Sequence, residues 1–318
     1  MDVFIFTHGD TDGICAGAIV LSAYPDAKLI FTNPYRLLED LDMVSYSDTV
    51  IICDISLPEN CVTEILKRFS EIADAGELIY IDHHPLPESI LTEEIPGRVI
   101  HNVASSTSEL AYFLFQSMLD HNHGRTAIYG AIADYLDRTP LIQELLKKWD
   151  DITIYFETGI LSQGIESLKG DNDSKKRIVH NLANNMSPSF DEDLVRLAIQ
   201  YTKQEWKAVD ELKDQIQVKG RVAFVLSFPF SLGKTATYIR MLTDALIGMA
   251  GEKRKDKIDL SLRTSDERVN LNRMLREITP KLCGSGGGHP KAAGARIPQK
   301  HFNKFLEELN KSLASLAS

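Results

Sequence analysis

Short apolar runs alternate with stretches of helical period along the first part of the chain. Strands are expected near Val3–Thr7, Lys28–Thr32, Thr49–Cys53 and Glu77–Ile81. Runs such as Val3-Phe4-Ile5-Phe6-Thr7 are too short for a helix and too continuously apolar for a strand with one wet face, so they predict strands buried on both faces of a parallel sheet. Gly13–Ala23 and Pro58–Phe69 between them predict helices, and the alternation implies helices on both faces of that sheet. Ser105-Ser106-Thr107-Ser108-Glu109 predicts an N-cap with a nearby acid before an apolar helix at Leu110–Leu119. Ala127–Ala133 predicts an apolar helix that ends on Asp134.

The chain then turns mostly helical through Asn185. Met186-Ser187-Pro188-Ser189 marks a break, and Asp191–Val218 has a helical pattern long enough to link two domains. After it come an expected strand at Arg221–Leu226, a helix at Lys234–Asp244, a strand at Lys257–Arg263, a helix at Val269–Cys283, a glycine run, a strand at Ala293–Ile297 and a closing helix. The class is α/β, with a parallel-sheet domain over 1–186, a helical linker over 187–217 and a smaller α/β domain over 218–318. No internal repeat or low-complexity tract interrupts this order.

Polar clusters stand where the expected strands stop. His8-Gly9-Asp10-Thr11-Asp12-Gly13 follows the first, Asp54 the third and Asp82-His83-His84 the fourth, while Asp134 ends a helix. In an open α/β sheet, ligands gather beyond the carboxyl ends of the strands, so clusters distant in sequence converge in space. Taken singly, each Asp reads as a loop or cap residue and each His as structural. As an ordered set in matching settings they spell a site for two divalent cations, which take carboxylate oxygen and imidazole nitrogen and together activate water against a phosphoryl group. The chemistry implied is phosphate ester hydrolysis.

His8-x-Asp10-x-Asp12-Gly13, Asp54, Asp82-His83-His84 and Asp134 resemble, in order and spacing, the four motifs of the DHH phosphoesterase superfamily. Gly284-Ser285-Gly286-Gly287-Gly288-His289-Pro290-x-Ala292-Ala293-Gly294 resembles the signature of the accompanying DHHA1 domain. This resemblance implies that His8 and Asp10 hold one metal, that Asp12, His83 and Asp134 hold the other, and that Asp54 bridges them. The cations it implies are two, usually Mn2+, with Mg2+ or Co2+ as alternatives. It makes His84 a polar group facing the scissile phosphate, Asp82 the orienting partner of a histidine, and a water bridging the cations the nucleophile. Arg263, in Ser261-Leu262-Arg263-Thr264-Ser265, matches phosphate-binding positions of related enzymes, as does His289, and Ser265, Ser106 and Thr107 fall in segments expected to touch substrate. Capping is the favoured role for Ser106 and Thr107. Consecutive glycines leave room for a ligand against the backbone, so Gly286, Gly287 and Gly288 are expected to cradle an anion with their N–H groups. An arginine fork bonds phosphate oxygens in pairs.

Charge sharpens the division of labour. The chain of 318 residues carries a net charge of −10, yet 218–318 carries +9 and the preceding 217 residues −19. An acidic half that holds cations and a basic half that grips nonreacting phosphates suit a phosphate-bearing substrate. Lys253-Arg254-Lys255 is set aside as solvation of a helix, and a surface for long duplex nucleic acid would be more basic overall. Gly233-Lys234-Thr235 resembles the end of a P-loop, but Phe228 occupies the position of the required first glycine, so a helix start is expected there.

Cys15, Cys53, Cys61 and Cys283 form no Cys-x-x-Cys pair, which points to a reducing cytoplasm, with Cys15 and Cys53 as small core residues. No apolar stretch reaches the 18 or so residues of a membrane span, and no basic segment precedes the longest one. The functional expectation is a manganese-dependent phosphodiesterase that releases mononucleotides from short single-stranded RNA or DNA. Phosphodiesterases of cyclic or linear dinucleotides and a 3′-phosphoadenosine 5′-phosphate phosphatase stay open as alternatives. An inorganic pyrophosphatase is disfavoured by the Gly-Gly-Gly-His signature. A catalytically idle scaffold in a replication or repair assembly is the non-enzyme alternative, with a homodimer and a protein partner of that kind left open.

Overall fold

A computed structural model describes residues 2–45 and 47–314. The chain divides into two compact units after Thr202. The first contains β1 (Val3–Thr7), α1 (Thr11–Ala23), β2 (Lys28–Phe31), α2 (Leu37–Asp40), β3 (Thr49–Cys53), α3 (Val62–Ala75), β4 (Glu77–Asp82), β5 (Arg98–His101), α4 (Thr107–Phe115), α5 (Gly124–Ala133), α6 (Pro140–Leu146), α7 (Asp151–Leu168) and α8 (Asn172–Ala183). The division falls within α9 (Glu192–Leu212).

The five strands form one sheet in the order β2-β1-β3-β4-β5, and every pairing is parallel. Alternation explains the continuous apolar runs. Phe4, Phe6, Val50, Ile52, Leu78 and Tyr80 share a core with α2 and α3. Their neighbours Ile5, Ile51, Ile79 and Ile81 share a second core with α1, α4, α5, α7 and α8. Each fully buried branched side chain contributes about 1.5–3 kcal/mol, and both faces must be covered to collect it. Cys15 and Cys53 are buried core residues, as their apolar settings predicted. In this strand order the chain turns to opposite sides of β1 after β1 and β2, which opens a crevice at the carboxyl ends of β1 and β3.

The second unit contains β6 (Gln217–Lys219), β7 (Val222–Leu226), α10 (Leu232–Leu242), β8 (Ile247–Arg254), β9 (Lys257–Arg263), α11 (Leu271–Ile278), β10 (Ser285–Gly288), β11 (Ala292–Pro298) and α12 (Phe302–Ala314). Its sheet runs β10-β11-β9-β8-β7-β6, antiparallel except for the β7–β8 pair. Val222, Phe224, Met249, Leu260 and Leu262 pack with α11 and α12 on one face. Ala223, Val225 and Ala250 pack with α10 on the other.

The structure corrects several local expectations. β5 and β8 were not anticipated: Arg98-Val99-Ile100-His101 is short and half polar, and Ile247-Gly248-Met249-Ala250 is poor in β-branched residues. Lys253-Arg254-Lys255 sits at the β8–β9 hairpin rather than on a helix, where Arg254 pairs with Glu252 at 2.7 Å and Asp259 at 3.2 Å. The helix expected at Val269–Cys283 is shorter, because Pro280 cannot continue it and a 3-10 turn at Pro280–Leu282 takes over. The helix beginning around Gly233 is present as α10.

Candidate metal centre

The three strand-end motifs meet at the crevice. Asp10 caps α1, accepting from the Gly13 N–H at 3.0 Å, so the helix start fixes its carboxylate. Asp12 lies in the first turn and is 1% exposed. Its two oxygens accept from the Thr107 and Ser108 amides at 2.7 and 3.0 Å, which places it on the N-terminus of α4. Ser106 caps that helix through the Glu109 N–H at 3.2 Å. Thr107 Oγ1 donates to Asp54 Oδ1 at 3.1 Å. The hydroxyls of Ser106 and Thr107 are thus engaged within the unit, and both side chains are buried.

Asp54 follows β3 with φ of +61°. A left-handed aspartate is uncommon and costs of the order of 1 kcal/mol, so the surrounding fold maintains it against strain. Three donor clusters contain it: His8, Asp10 and Asp54; Asp12, Asp54 and His83; and Asp54, Asp82 and His84. His8 Nδ1 lies 2.8 Å from Asp10 Oδ2 and 3.9 Å from Asp54 Oδ2. His83 Nε2 lies 3.4 Å from Asp54 Oδ1, 4.0 Å from Asp12 Oδ2 and 3.1 Å from Asp134 Oδ2, with Asp134 delivered by the C-terminus of α5.

The donors fit divalent cations, and the electrostatics explain why. Burial and then Asp10 push the Asp54 carboxyl well above its usual range, and burial and then Asp134 push Asp12 up to about 6. Asp10 raises His8 to about 9 against the cost of burial. Burial opposes a charge on His83 as well, but its bonds to Asp134 and Asp54 prevail and push it up to about 12. The buried carboxylates thus favour positive charge at this point, which bound cations would supply. Asp54 Oδ2 has no hydrogen-bond partner among the described residues, as expected of an atom reserved for a cation.

Behind the clusters, His84 Nδ1 donates to Asp82 Oδ1 at 2.8 Å, and the His84 N–H reaches Asp82 Oδ2 at 3.2 Å. Burial disfavours the Asp82 carboxylate, but His84 and the nearby donors hold it below its usual range. Three further residues support the centre and were not recognised in the sequence. The Tyr80 hydroxyl lies 3.0 Å from Asp82 Oδ2, a partner that period-two alternation along β4 would have revealed. His101 Nε2 donates to the His84 carbonyl at 2.8 Å from the end of β5, opposite Asp82 in register. Lys175 Nζ donates to the Gly9 carbonyl at 2.5 Å from α8. Nothing local in the sequence announces the last two.

In the second unit, Arg263 ends β9 opposite Ala292, and the His289–Ala292 turn joins β10 to β11. Arg263 and His289 therefore share one end of that sheet. The Arg263 guanidinium donates to Ser261 Oγ and the Leu262 carbonyl, both at 2.9 Å. Ser265 Oγ accepts from Arg240 at 3.0 Å. The glycine run is part of a sheet: Gly286, Gly287 and Gly288 lie in edge strand β10, antiparallel to β11. Asn272 Oδ1 accepts the Gly288 N–H at 3.1 Å, and a Cβ on Gly287 would stand 3.2 Å from the same oxygen. Strand pairing and close packing of α11 use these glycines.

A parallel sheet with His and Asp clusters at its switch point is thus followed in the chain by a smaller mixed-sheet unit. Two family descriptions match the chain: the DHH family N-terminal domain over 2–137 and the DHHA1 domain over 194–315. The chain belongs to the DHH/DHHA1 family of phosphoesterases. Among solved structures it resembles the DHH domain of a member of the s1p family of ribosomal proteins, with 15% identity, a TM-score of 0.72, and 98% of this chain and 86% of that one covered. RecJ from Thermus thermophilus in complex with Mn2+ matches at 17% identity and a TM-score of 0.71, covering 99% of this chain and 52% of that one. The pGpG-specific phosphodiesterase PggH from Vibrio cholerae matches at 12% identity and a TM-score of 0.61, covering 99% of both chains. No curated relative matches the sequence.

Proposed function

We propose that the chain is a phosphodiesterase that releases nucleoside monophosphates from short single-stranded oligonucleotides. The observation that carries this reading is Asp54, a buried carboxylate common to the His8–Asp10 and Asp12–His83 donor clusters at the carboxyl ends of the strands. His8, Asp10 and Asp54 would hold one divalent cation, and Asp12, His83, Asp134 and Asp54 the other. When bound, such a pair supplies a water deprotonated near neutral pH and positive charge for the phosphoryl oxygens. Manganese suits this mixed imidazole and carboxylate set better than an all-oxygen site would, and RecJ has been solved with Mn2+.

The protein's own groups prepare the reaction. His84 gives its Nδ1 proton to the Asp82 carboxylate in a hydrogen bond, so the tautomer and ring plane are set and Nε2 is the nitrogen that would meet the scissile phosphate. His101 and Tyr80 brace that pair. Arg263 and His289 would hold the nonreacting part of the substrate, and the basic excess after residue 217 supports that role, whereas Ser106 and Thr107 are left to capping and to Asp54. The domain division of this reading is a catalytic domain over 1–186, a helical linker over 187–217 and a substrate-binding domain over 218–318.

A linear dinucleotide is the favoured length, because PggH, whose substrate is named as pGpG, matches this chain end to end. A cyclic-dinucleotide or 3′-phosphoadenosine 5′-phosphate activity would place the same site on another substrate. The idle-scaffold reading is weaker, since every donor position is filled. A panel of a dinucleotide, a long oligomer, a cyclic dinucleotide and 3′-phosphoadenosine 5′-phosphate, each assayed with Mn2+, tests the proposal. The highest kcat/KM is expected on the dinucleotide, and preference for the long oligomer or the cyclic compound would overturn it.

A further inference from the structure

Lys175 lies in the first turn of α8, 166 residues from the backbone oxygen it bonds, and is only 8% exposed. Withdrawing an ammonium from water is costly, and burial lowers the proton affinity of Lys175 against the opposing pull of Asp10. A hydrophobic residue at this position of an apolar helix face would avoid that cost. Its bond explains what the charge accomplishes: Nζ donates to the carbonyl of Gly9, which stands between His8 and Asp10 in the first donor cluster. Gly9 is matched to it. A Cβ there would stand 3.1 Å from Lys175 Nζ, and its three nearest atoms all belong to Lys175.

We infer that Lys175 is a positioning residue of the metal centre, clamping the Gly9 carbonyl so that His8 and Asp10 keep the spacing their shared cation needs. The inference rests on reading the His8–Asp10 and Asp12–His83 clusters as a metal centre. A rival role, simple counter-charge to Asp10, makes the opposite prediction. A counter-charge competes with the cation, so its removal strengthens metal binding; a clamp aids the cation, so its removal weakens binding.

The test is titration of the chelator-stripped full-length protein with Mn2+ alone, with free ion followed by electron paramagnetic resonance. Wild type should bind two Mn2+. Lys175→Met should weaken one of them by roughly 10-fold or more, the range for losing a group that orients a ligand, and Lys175→Arg should recover part of the loss. Gly9→Ala should weaken the same ion in the wild-type background and add nothing in the Lys175→Met background. Unchanged or tighter Mn2+ binding by Lys175→Met would overturn the clamp. Should that variant fail to give a cooperative melt, Gly9→Ala decides alone, and unchanged affinity there overturns it. A wild type that binds no Mn2+ would instead remove the metal-centre reading itself.

Discussion

At the scale of single residues, Asp54 concentrates cost in one place: burial and the neighbouring charge of Asp10 work against its ionised form, and its left-handed backbone adds strain. Asparagine tolerates the same backbone region and keeps the acceptor for Thr107, yet carries no charge. Asp54→Asn is therefore expected to lower kcat/KM on a dinucleotide at least 1,000-fold, about 4 kcal/mol, while the metal-free protein melts at the same or a higher temperature. Retention of more than about a tenth of the activity, a loss of under about 1.4 kcal/mol, would show that Asp54 is not the shared ligand. Chelation should likewise abolish turnover in wild type, with Mn2+ restoring it better than Mg2+; full activity in excess chelator would refute the two-cation reading.

At the scale of elements, the centre depends on how closely α1, α4 and α5 approach one another. Gly130 on α5 faces Ser108 Oγ and Asp12 Oδ1, and a Cβ would collide with both. Gly130→Ala should destabilise the fold by about 1–3 kcal/mol and disturb Asp12 where it meets the α4 amides. Gly159 on α7 has nothing within 4 Å of such a Cβ, so Gly159→Ala should instead stabilise by about 0.5–1 kcal/mol. Parallel denaturant melts compare the two, and equal effects would contradict the packing argument. Farther along, Asp191 joins α8 to α9 through Arg177 at 2.6 Å, Asn181 at 2.9 Å and the Leu194 N–H at 3.1 Å. Burial opposes its charge, but these donors prevail and hold its pKa below the usual value. A depressed carboxylate stabilises the fold fully above its unfolded pKa of about 3.9 and loses that contribution as pH falls through the folded value. The advantage of wild type over Asp191→Asn should be about 2 kcal/mol at neutral pH and shrink steadily below about pH 4. A difference constant down to pH 2 would mean that the charge is not involved.

At the scale of the whole molecule, the two parts of the sequence carry opposite net charges, which suits the proposed split between chemistry and substrate capture. If Arg263 holds a phosphate remote from the reacting one, Arg263→Ala should cost about 2–4 kcal/mol in kcat/KM on a dinucleotide. Hydrolysis of bis(p-nitrophenyl) phosphate, which lacks the remote group, should survive nearly unchanged. Added salt should mimic the mutation, raising KM for the dinucleotide more than for the small ester, because screening weakens exposed charge contacts. Equal losses on both substrates would assign Arg263 to the fold rather than to substrate.

Local sequence determined which donors the centre contains. An apolar run buried on both faces cannot continue into His8-Gly9-Asp10, so the strand ends there, and the same logic marks Asp54 and Asp82-His83-His84. It also determined the caps at Asp10 and Ser106, since those contacts lie within three residues. Only tertiary structure decided that Asp54 is shared, that the α4 amides hold Asp12, and that the glycine run is an edge strand packed on α11. Strand pairing alone made β8 and β5 visible, because weak intrinsic preference was overridden by neighbours already in the sheet. Lys175 and His101 stayed hidden for the same physical reason: a hydrogen bond between residues 166 or 17 positions apart leaves no periodicity in the chain, and exists only once separate elements have packed.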